Sequence, residues 1–534
     1  MLAIEPVRLR RLRSLRSTEL AFAAILLFGL LGMTARNATD PDLWWHLRTG
    51  QLIVESGHVP HYDPFSFTRA GHAWISHEWL SEVVFYELWK HGGVAALIVF
   101  SAIITTAGFM LLYLRCRAKA HWAAAATALG ALAASPSWGV RPQMFTFTLA
   151  SLLLWLVERG ENRPKLLFWI PPLFLIWLNL HAGFALGPAL LFAYGLGLLW
   201  ESATGSTAWT EARPKLLRVF ALLAACLALV PFNPSGIQLY RYPFHTLRST
   251  GMRSFISEWF SPDFHQLLYR PFLLLWLLVF MALAISRARP KGRAIFPMLL
   301  TGLASVDAVR HIPIFILVAL PAIVAAIPVG SESLPNFNWR NKRLRLRPLF
   351  NAVVVILIAV FAVVKWVVVV HNQEAREAKV FPQTAIASLK SSDVKSSDAP
   401  GRLFAYYDWG GYAIWKLYPE YRVFVDGRAD LYGDDLLRQA LKTALNLRSG
   451  WREVLDHWQI EVVLVPPSSA LGQGLLLDPG WRAVFSDPKA DVFVRSQPAG
   501  QNRDISTAVT QESALLLRQK SEIMFPRSVP NLRN

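Results

Sequence analysis

The chain has 534 residues, 54% of them hydrophobic and 17% charged, with a mean hydropathy of +0.34. A soluble surface needs more charge than that, and here the charges cluster between apolar runs of about 20 residues, the length that crosses a bilayer core. The net charge of +18 and pI near 10.1 do not point to nucleic acid, because the surplus Lys and Arg sit in short loops between those runs. The only two cysteines, Cys116 in a basic loop and Cys226 in an apolar run, exclude a Cys-based metal site and argue against a disulfide.

In chain order, a basic stretch (Arg8, Arg10, Arg11, Arg13, Arg16) precedes the first apolar run, and no small-residue cleavage site follows. An uncleaved first helix is expected. Membrane spans are expected at about 18–35, 93–114, 121–136, 143–157, 166–180, 184–201, 215–232, 270–286, 294–308, 311–329 and 349–370, about eleven in all. The loops alternate in character. Arg115/Arg117/Lys119, Arg159/Lys165, Arg213/Lys215/Arg218, Arg287–Arg293 and Arg340–Arg347 fall on the side of the basic N-terminus. Loops 36–92, 137–142, 181–183, 233–269, a turn near Asp307–His311, and everything after 371 fall on the other. Positive loops mark the cytoplasmic face. The reading is a multi-pass inner (plasma) membrane protein with a cytoplasmic N-terminus and an extracytoplasmic C-terminal domain.

The expected domains are 1–370, transmembrane with two long outer loops (36–92 and 233–269); 371–496, a soluble α/β domain; and 497–534, a polar tail. Within 371–496, β-like runs at 402–407, 422–426, 461–466, 481–485 and 491–495 alternate with helix-like stretches at 435–447 and 451–458. The fold class is thus an α-helical polytopic membrane protein with a C-terminal soluble α/β domain.

Polar residues concentrate at the outer helix ends. The first long loop opens with Asp40-Pro41-Asp42-Leu43-Trp44-Trp45-His46-Leu47-Arg48 and later carries His77 and Glu78 among aromatics. Carboxylates at a membrane surface bind a cation, pair with Arg or accept protons. The plain alternative is an interfacial aromatic belt with solvated acids. The second loop carries Arg253 and Ser257-Glu258-Trp259. Arg141, His181 and the Asp307/Arg310/His311 group lie at outer ends, and Arg there suits a lipid-linked phosphate, because its guanidinium forks onto phosphate oxygens. In the soluble domain, Tyr406-Tyr407-Asp408-Trp409-Gly410-Gly411 reads as a strand-to-helix turn. Its aromatics either serve a site or fill the core, with Asp408 as a helix cap.

Together these pieces resemble the GT-C superfamily of membrane glycosyltransferases, and most closely the catalytic subunit of oligosaccharyltransferase. Asp42 and Arg48 have the spacing of that family's first acidic motif. Ile256-Ser257-Glu258 is similar to its late-loop motif, and Tyr406-Tyr407-Asp408-Trp409-Gly410 looks like a relaxed W-W-D-Y-G. The family's second acidic motif, of D-x-D type, is replaced by Ser135-Pro136-Ser137-Trp138-Gly139-Val140-Arg141-Pro142.

The resemblance implies inverting transfer of a sugar from a polyprenyl-(pyro)phosphate donor to a glycan, lipid or protein acceptor on the extracytoplasmic face. It implies Asp42 and Glu258 as catalytic residues, Arg48 at the donor phosphate, and Tyr407, Asp408 and Trp409 at the acceptor; the outer helix ends add Glu78 as a catalytic candidate and Arg141, Arg310 and His311 at the donor phosphate. It also implies a divalent cation (Mg or Mn) on Asp42 and Glu258, which the missing second motif weighs against. A lipid-linked-sugar transporter would place charges mid-helix and often repeat its halves, and neither pattern is evident. A non-catalytic assembly protein would leave Asp42 and Glu258 dispensable.

Overall fold

A computed structural model describes residues 5–286, 291–326, 347–391, 400–445 and 450–496. The expected tail at 497–534 and parts of two basic loops (287–290 and 327–346) lie outside them. The described residues divide into two compact units, one within 5–61 and 73–377, the other within 62–72 and 378–496.

The first unit is helical. Its helices are α1 (Glu5–Thr34), α2 (Leu43–Ser56), α3 (Trp79–Arg115), α4 (Ala120–Ala134), α5 (Gln143–Gly160), α6 (Ile170–Leu180), α7 (Leu186–Ala203), α8 (Trp209–Leu229), α9 (Tyr242–Arg248), α10 (Thr250–Phe255), α11 (Arg270–Ile285), α12 (Gly292–Asp307), α13 (Ile312–Ala326) and α14 (Arg347–His371). Among the described residues, six helices are long and apolar enough to cross a membrane: Trp79–Arg115, Ala182–Ala203, Trp209–Phe232, Leu267–Ile285, Val309–Ala326 and Pro348–His371. Thr18–Thr34 and Pro164–Leu180 are shorter apolar helices. Length and composition therefore qualify six spans, fewer than the eleven expected.

α1 packs along α14, α3 on α5, and α7 on α8 and α12, around a core that includes Phe109, Trp177, Phe272 and Phe315. α14 keeps Ile356, Leu357, Phe361 and Val363 exposed, an apolar face of the kind lipid covers. α3 bends at Gly93, where φ is 61°, so an N-terminal segment with polar residues precedes the apolar span. α2 lies directly on that segment: a Cβ on Gly50 would stand 2.1 Å from the Glu82 carbonyl oxygen. Only glycine allows this approach.

Several arginine ion pairs in this unit join segments of the same loop set. Arg115 meets Glu158, and Arg293 meets Glu161 and Glu201, all at ends expected on the basic side. Arg141, Arg253 and Arg310 meet acids from the opposite set.

The second unit is α/β, with a five-stranded sheet in the order β2-β1-β3-β5-β4. β1 (Gly401–Ala405), β2 (Tyr421–Val423), β3 (Val462–Val465), β4 (Trp481–Ser486) and β5 (Asp491–Arg495) fall within each expected run or at its edge. β2, β1 and β3 run parallel, while β5 is antiparallel to β3 and β4. Helices include α15 (Gln383–Ser391), α16 (Gly410–Leu417) and α17 (Ala429–Leu445). Residues 62–72 belong here because Phe65 and Phe67 exchange backbone hydrogen bonds with Val423 on edge strand β2. Thr68 Oγ1 donates to the Phe424 carbonyl at 2.6 Å.

Candidate active site

α1 ends at Thr34, and a short extended segment leads to Asp40, Pro41 and Asp42 before α2 starts at Leu43. Asp42 is the residue before the helix, yet its side chain caps no backbone N–H. Its Oδ1 accepts from Trp45 Nε1 at 3.2 Å, and its own backbone N–H donates to Asp40 Oδ1 at 2.9 Å. The remaining carboxylate oxygens face Arg141 from the α4–α5 connection: Nε stands 2.6 Å from Asp40 Oδ2 and Nη2 stands 3.7 Å from Asp42 Oδ2. Arg141 Nη1 lies 3.0 Å from Glu258 Oε2. The other Glu258 oxygen meets Arg310 Nη1 at 3.2 Å.

The second long loop holds Glu258 in place through the α12–α13 turn. The Val309 N–H donates to the Phe260 carbonyl at 3.0 Å. The Arg310 guanidinium lies 4.5 Å from the centre of the Trp259 ring, and the His311 ring meets Trp259 edge-on at 6.2 Å. Asp42, Arg141, Glu258 and Arg310 keep 22–30% of their side chains exposed, so the cluster is open to a ligand.

Burial, then the charge of Asp40, pushes Asp42 up to about 7, while Arg141 and His46 pull the other way. Burial works against the Glu258 charge as well, but Arg141 and Arg310 outweigh it and hold that carboxyl down at about 2. The cluster thus contains one carboxylate poised near neutrality and one that stays ionised.

Glu78 stands at the centre of a different group. His77 Nε2 lies 3.1 Å from it, His181 Nε2 3.4 Å and His46 Nε2 3.5 Å. His46 Nδ1 also meets Glu82 at 3.3 Å, so both of its nitrogens face carboxylates. Burial alone would lower His46, but the Glu82 hydrogen bond and the charges of Glu78, Glu82 and Asp42 raise it. His181 goes the other way, down to about 4, because burial dominates. Its Nδ1 accepts from the Gly183 N–H at 2.9 Å and meets Thr146 Oγ1 at 2.7 Å. Those contacts leave Nε2 as the protonated nitrogen that donates to Glu78.

The other expected site residues are placed as follows. Arg48 donates from Nη1 to Gln51 at 2.8 Å. The arginine paired with Asp42 is Arg141, from outside the local motif. His311 Nδ1 meets the Ala304 carbonyl at 3.1 Å. In the second unit, Tyr407–Trp409 form a 3-10 turn entering α16. Trp409 is buried and donates from Nε1 to the Val380 carbonyl at 3.1 Å; Tyr407 is half-buried and Asp408 exposed. Trp409 holds the N-cap position of α16, and its side chain makes no cap bond. Gly410 has helical dihedrals; its role is contact, since a Cβ would stand 2.5 Å from the Val425 carbonyl oxygen. Sequence reasoning missed Glu82, whose signal was its place one helical turn beyond Glu78, and Thr146, which had none.

The residues do not fit a divalent cation. Asp42 and Glu258, its expected ligands, both turn to the Arg141 guanidinium. Among the described residues no group of three or more His, Cys, Asp or Glu is arranged to hold a metal ion.

No protein-family model and no curated protein matches the sequence. Among solved structures, the Archaeoglobus fulgidus oligosaccharyltransferase AglB, in complex with an inhibitory peptide and a dolichol-phosphate, aligns with a TM-score of 0.51 at 10% identity, covering 89% of this chain and 74% of that one. The apo oligosaccharyltransferase of the same organism gives 0.49 at 12% identity, over 84% and 69%. ArnT from Cupriavidus metallidurans, bound to undecaprenyl phosphate, gives 0.45 at 14%, over 91% and 99%. The likeness to AglB shows that this chain shares that protein's fold.

Proposed function

We propose that the chain is a membrane glycosyltransferase that moves a sugar from a polyprenyl-(pyro)phosphate donor to a glycan, lipid or protein acceptor. One observation carries the reading: acids just before α2 and from the second long loop, remote in sequence, meet at Arg141 with Arg310 alongside. The dolichol-phosphate in the AglB complex supports a lipid-phosphate donor. The loop asymmetry supports chemistry on the extracytoplasmic face, with residues after 371 on that side.

The mechanism is an inverting displacement. Asp42, with its carboxyl near neutrality, takes the proton of the acceptor hydroxyl or amide as the new bond to the anomeric carbon forms. The bond from that carbon to the phosphate oxygen breaks, and the electron pair leaves with the phosphate. Arg310, engaged at Nη1 by Glu258, turns its remaining N–H donors to the phosphate and stabilises the charge as it develops. Arg141, already shared among three carboxylates, positions Asp42. The imidazoles around Glu78 set the local field beside α2. Exposed Asp408 and half-buried Tyr407 are candidates for the acceptor, with Trp409 supporting them from the core.

Transfer in proteoliposomes supplied with polyprenyl-phosphate-linked sugars tests the reading. Asp42→Asn keeps the side-chain size and removes the base, so turnover should fall by about 10²–10⁴-fold with an unchanged melting temperature. Turnover near wild type in the folded variant would remove Asp42 from the mechanism and favour the assembly-protein alternative.

A further inference from the structure

We infer that the Arg141 guanidinium takes the place of a divalent cation in this site, so that its acids are organised and its chemistry runs without a bound metal ion. Three different nitrogens of Arg141 face three different carboxylates: Nε faces Asp40, Nη1 Glu258 and Nη2 Asp42. A planar fork of five N–H donors that never loses its proton can do this, whereas a lysine ammonium cannot reach three separated acids in fixed directions.

The second oxygen of each acid is also engaged. Asp40 Oδ1 accepts from the Asp42 N–H, Asp42 Oδ1 from Trp45 Nε1, and Glu258 Oε1 from Arg310. A Mg²⁺ or Mn²⁺ ion wants near-octahedral oxygen coordination with carboxylates among its ligands. Here all six carboxylate oxygens already face donors of the chain. A dication brought among them would also stand close to two guanidiniums and be repelled by both.

The position in the sequence agrees. Arg141 lies in Ser135–Pro142, the stretch that stands where the family resemblance leads one to expect a second acidic motif. That stretch holds no acid and supplies a fixed cation. Arg141 sits just before α5, with the Met144 N–H donating to its carbonyl at 3.2 Å, so the cation comes from a turn at the helix start.

The ion-binding part of the inference stands apart from the transferase reading; only its catalytic consequence rests on that reading. The test uses the full chain in detergent, stripped with EDTA and titrated with Mn²⁺ alone. Free Mn²⁺ is followed by electron paramagnetic resonance and the unfolding midpoint by calorimetry. Wild type should take up no stoichiometric Mn²⁺ up to about 1 mM, the weak end of biological divalent sites, and its midpoint should not move. Arg141→Ala should gain one Mn²⁺ per chain and a midpoint that rises with Mn²⁺. One Mn²⁺ bound to wild type and lost in Asp42→Asn or Glu258→Gln would overturn the inference, as would a folded Arg141→Ala that ignores Mn²⁺. Should Arg141→Ala not fold, the wild-type titration decides alone. Transfer that persists undiminished in EDTA supports the catalytic consequence, and transfer abolished by EDTA and restored by Mn²⁺ overturns it. A chain that transfers nothing under any condition would sink the transferase reading while leaving the Mn²⁺ result to judge the site.

Discussion

Two arginines in this molecule hold acids from remote segments, and their surroundings give them different roles. In the second unit, Arg428 binds Asp63 from the 62–72 segment at 2.8 Å and Asp426 at 2.7 Å. All three side chains are at most 1% exposed. The Tyr432 hydroxyl donates to Asp426, and the guanidinium lies over the Phe65 ring. Nothing in that cluster can reach a ligand, so its work is to fasten residues 62–72 to the sheet. Arg141 in the first unit makes a comparable set of contacts, but it and its partners keep 13–30% of their side chains exposed. The comparison teaches that pairing alone does not mark a site; solvent access and an acid pushed toward neutrality do.

The largest break in the comparison comes from Arg428→Ala. Two buried carboxylates lose their cation, and removing one partner of a buried pair costs about 3–5 kcal/mol. Thermal unfolding in detergent should show the second unit melting early. Glu258→Gln in the partly buried cluster should cost less stability than Arg428→Ala, while donor binding or transfer falls. A stability loss equal to that of Arg428→Ala would erase the distinction.

Next in size is the Gly410 contact. The Cβ of Gly410→Ala would meet backbone at Val425 and Asp426, which cannot swing aside as a flexible side chain can. Overpacking of this kind costs about 1–3 kcal/mol. It should lower the melting temperature of the second unit without changing the first.

The smallest effect is a shift in pH dependence. Asp42 must be ionised to act as a base, and its carboxyl is raised to about 7, first by burial and then by Asp40. Transfer should therefore fall about tenfold per pH unit below 7 and level off above it. Asp40→Asn removes a charge that raises Asp42, while Arg141 and His46 still lower it and Glu258 still raises it. The acidic limb should move to lower pH. A limb that stays at the same pH would assign it to another group.

Much of the architecture was legible because it depends on local pattern. Runs of apolar residues between Arg-rich loops mark helices and their ends. Short apolar runs within 402–407, 461–466 and 491–495 mark strands, and their burial is near-continuous, as in a sheet covered on both faces. The turn at 307–311 was legible because Asp307, Arg310 and His311 interrupt an apolar run. The site was legible in part. Asp42, Glu258, Arg141 and Arg310 were each singled out, and packing brings them together, while Arg48, six residues from Asp42, donates to Gln51. Trp409 was expected at the acceptor and is buried against Val380. A local motif states which side chains are present, and packing decides which way each one faces.

What the sequence determined by itself was therefore the set of apolar segments, the sorting of charges between two sets of loops, and the strand–helix order of the second unit. Each follows from hydrophobic periodicity and charge within a window of a few turns. Only the tertiary structure decided that Asp63 belongs to the sheet domain through Arg428, and that Arg141 meets Asp40, Asp42 and Glu258. The physical reason is that a buried or half-buried charge takes whatever opposite charge the packed backbone brings within about 4 Å. That distance is set by how remote helices and strands pack, as at Gly50 and Gly410, where the missing Cβ lets two segments close together.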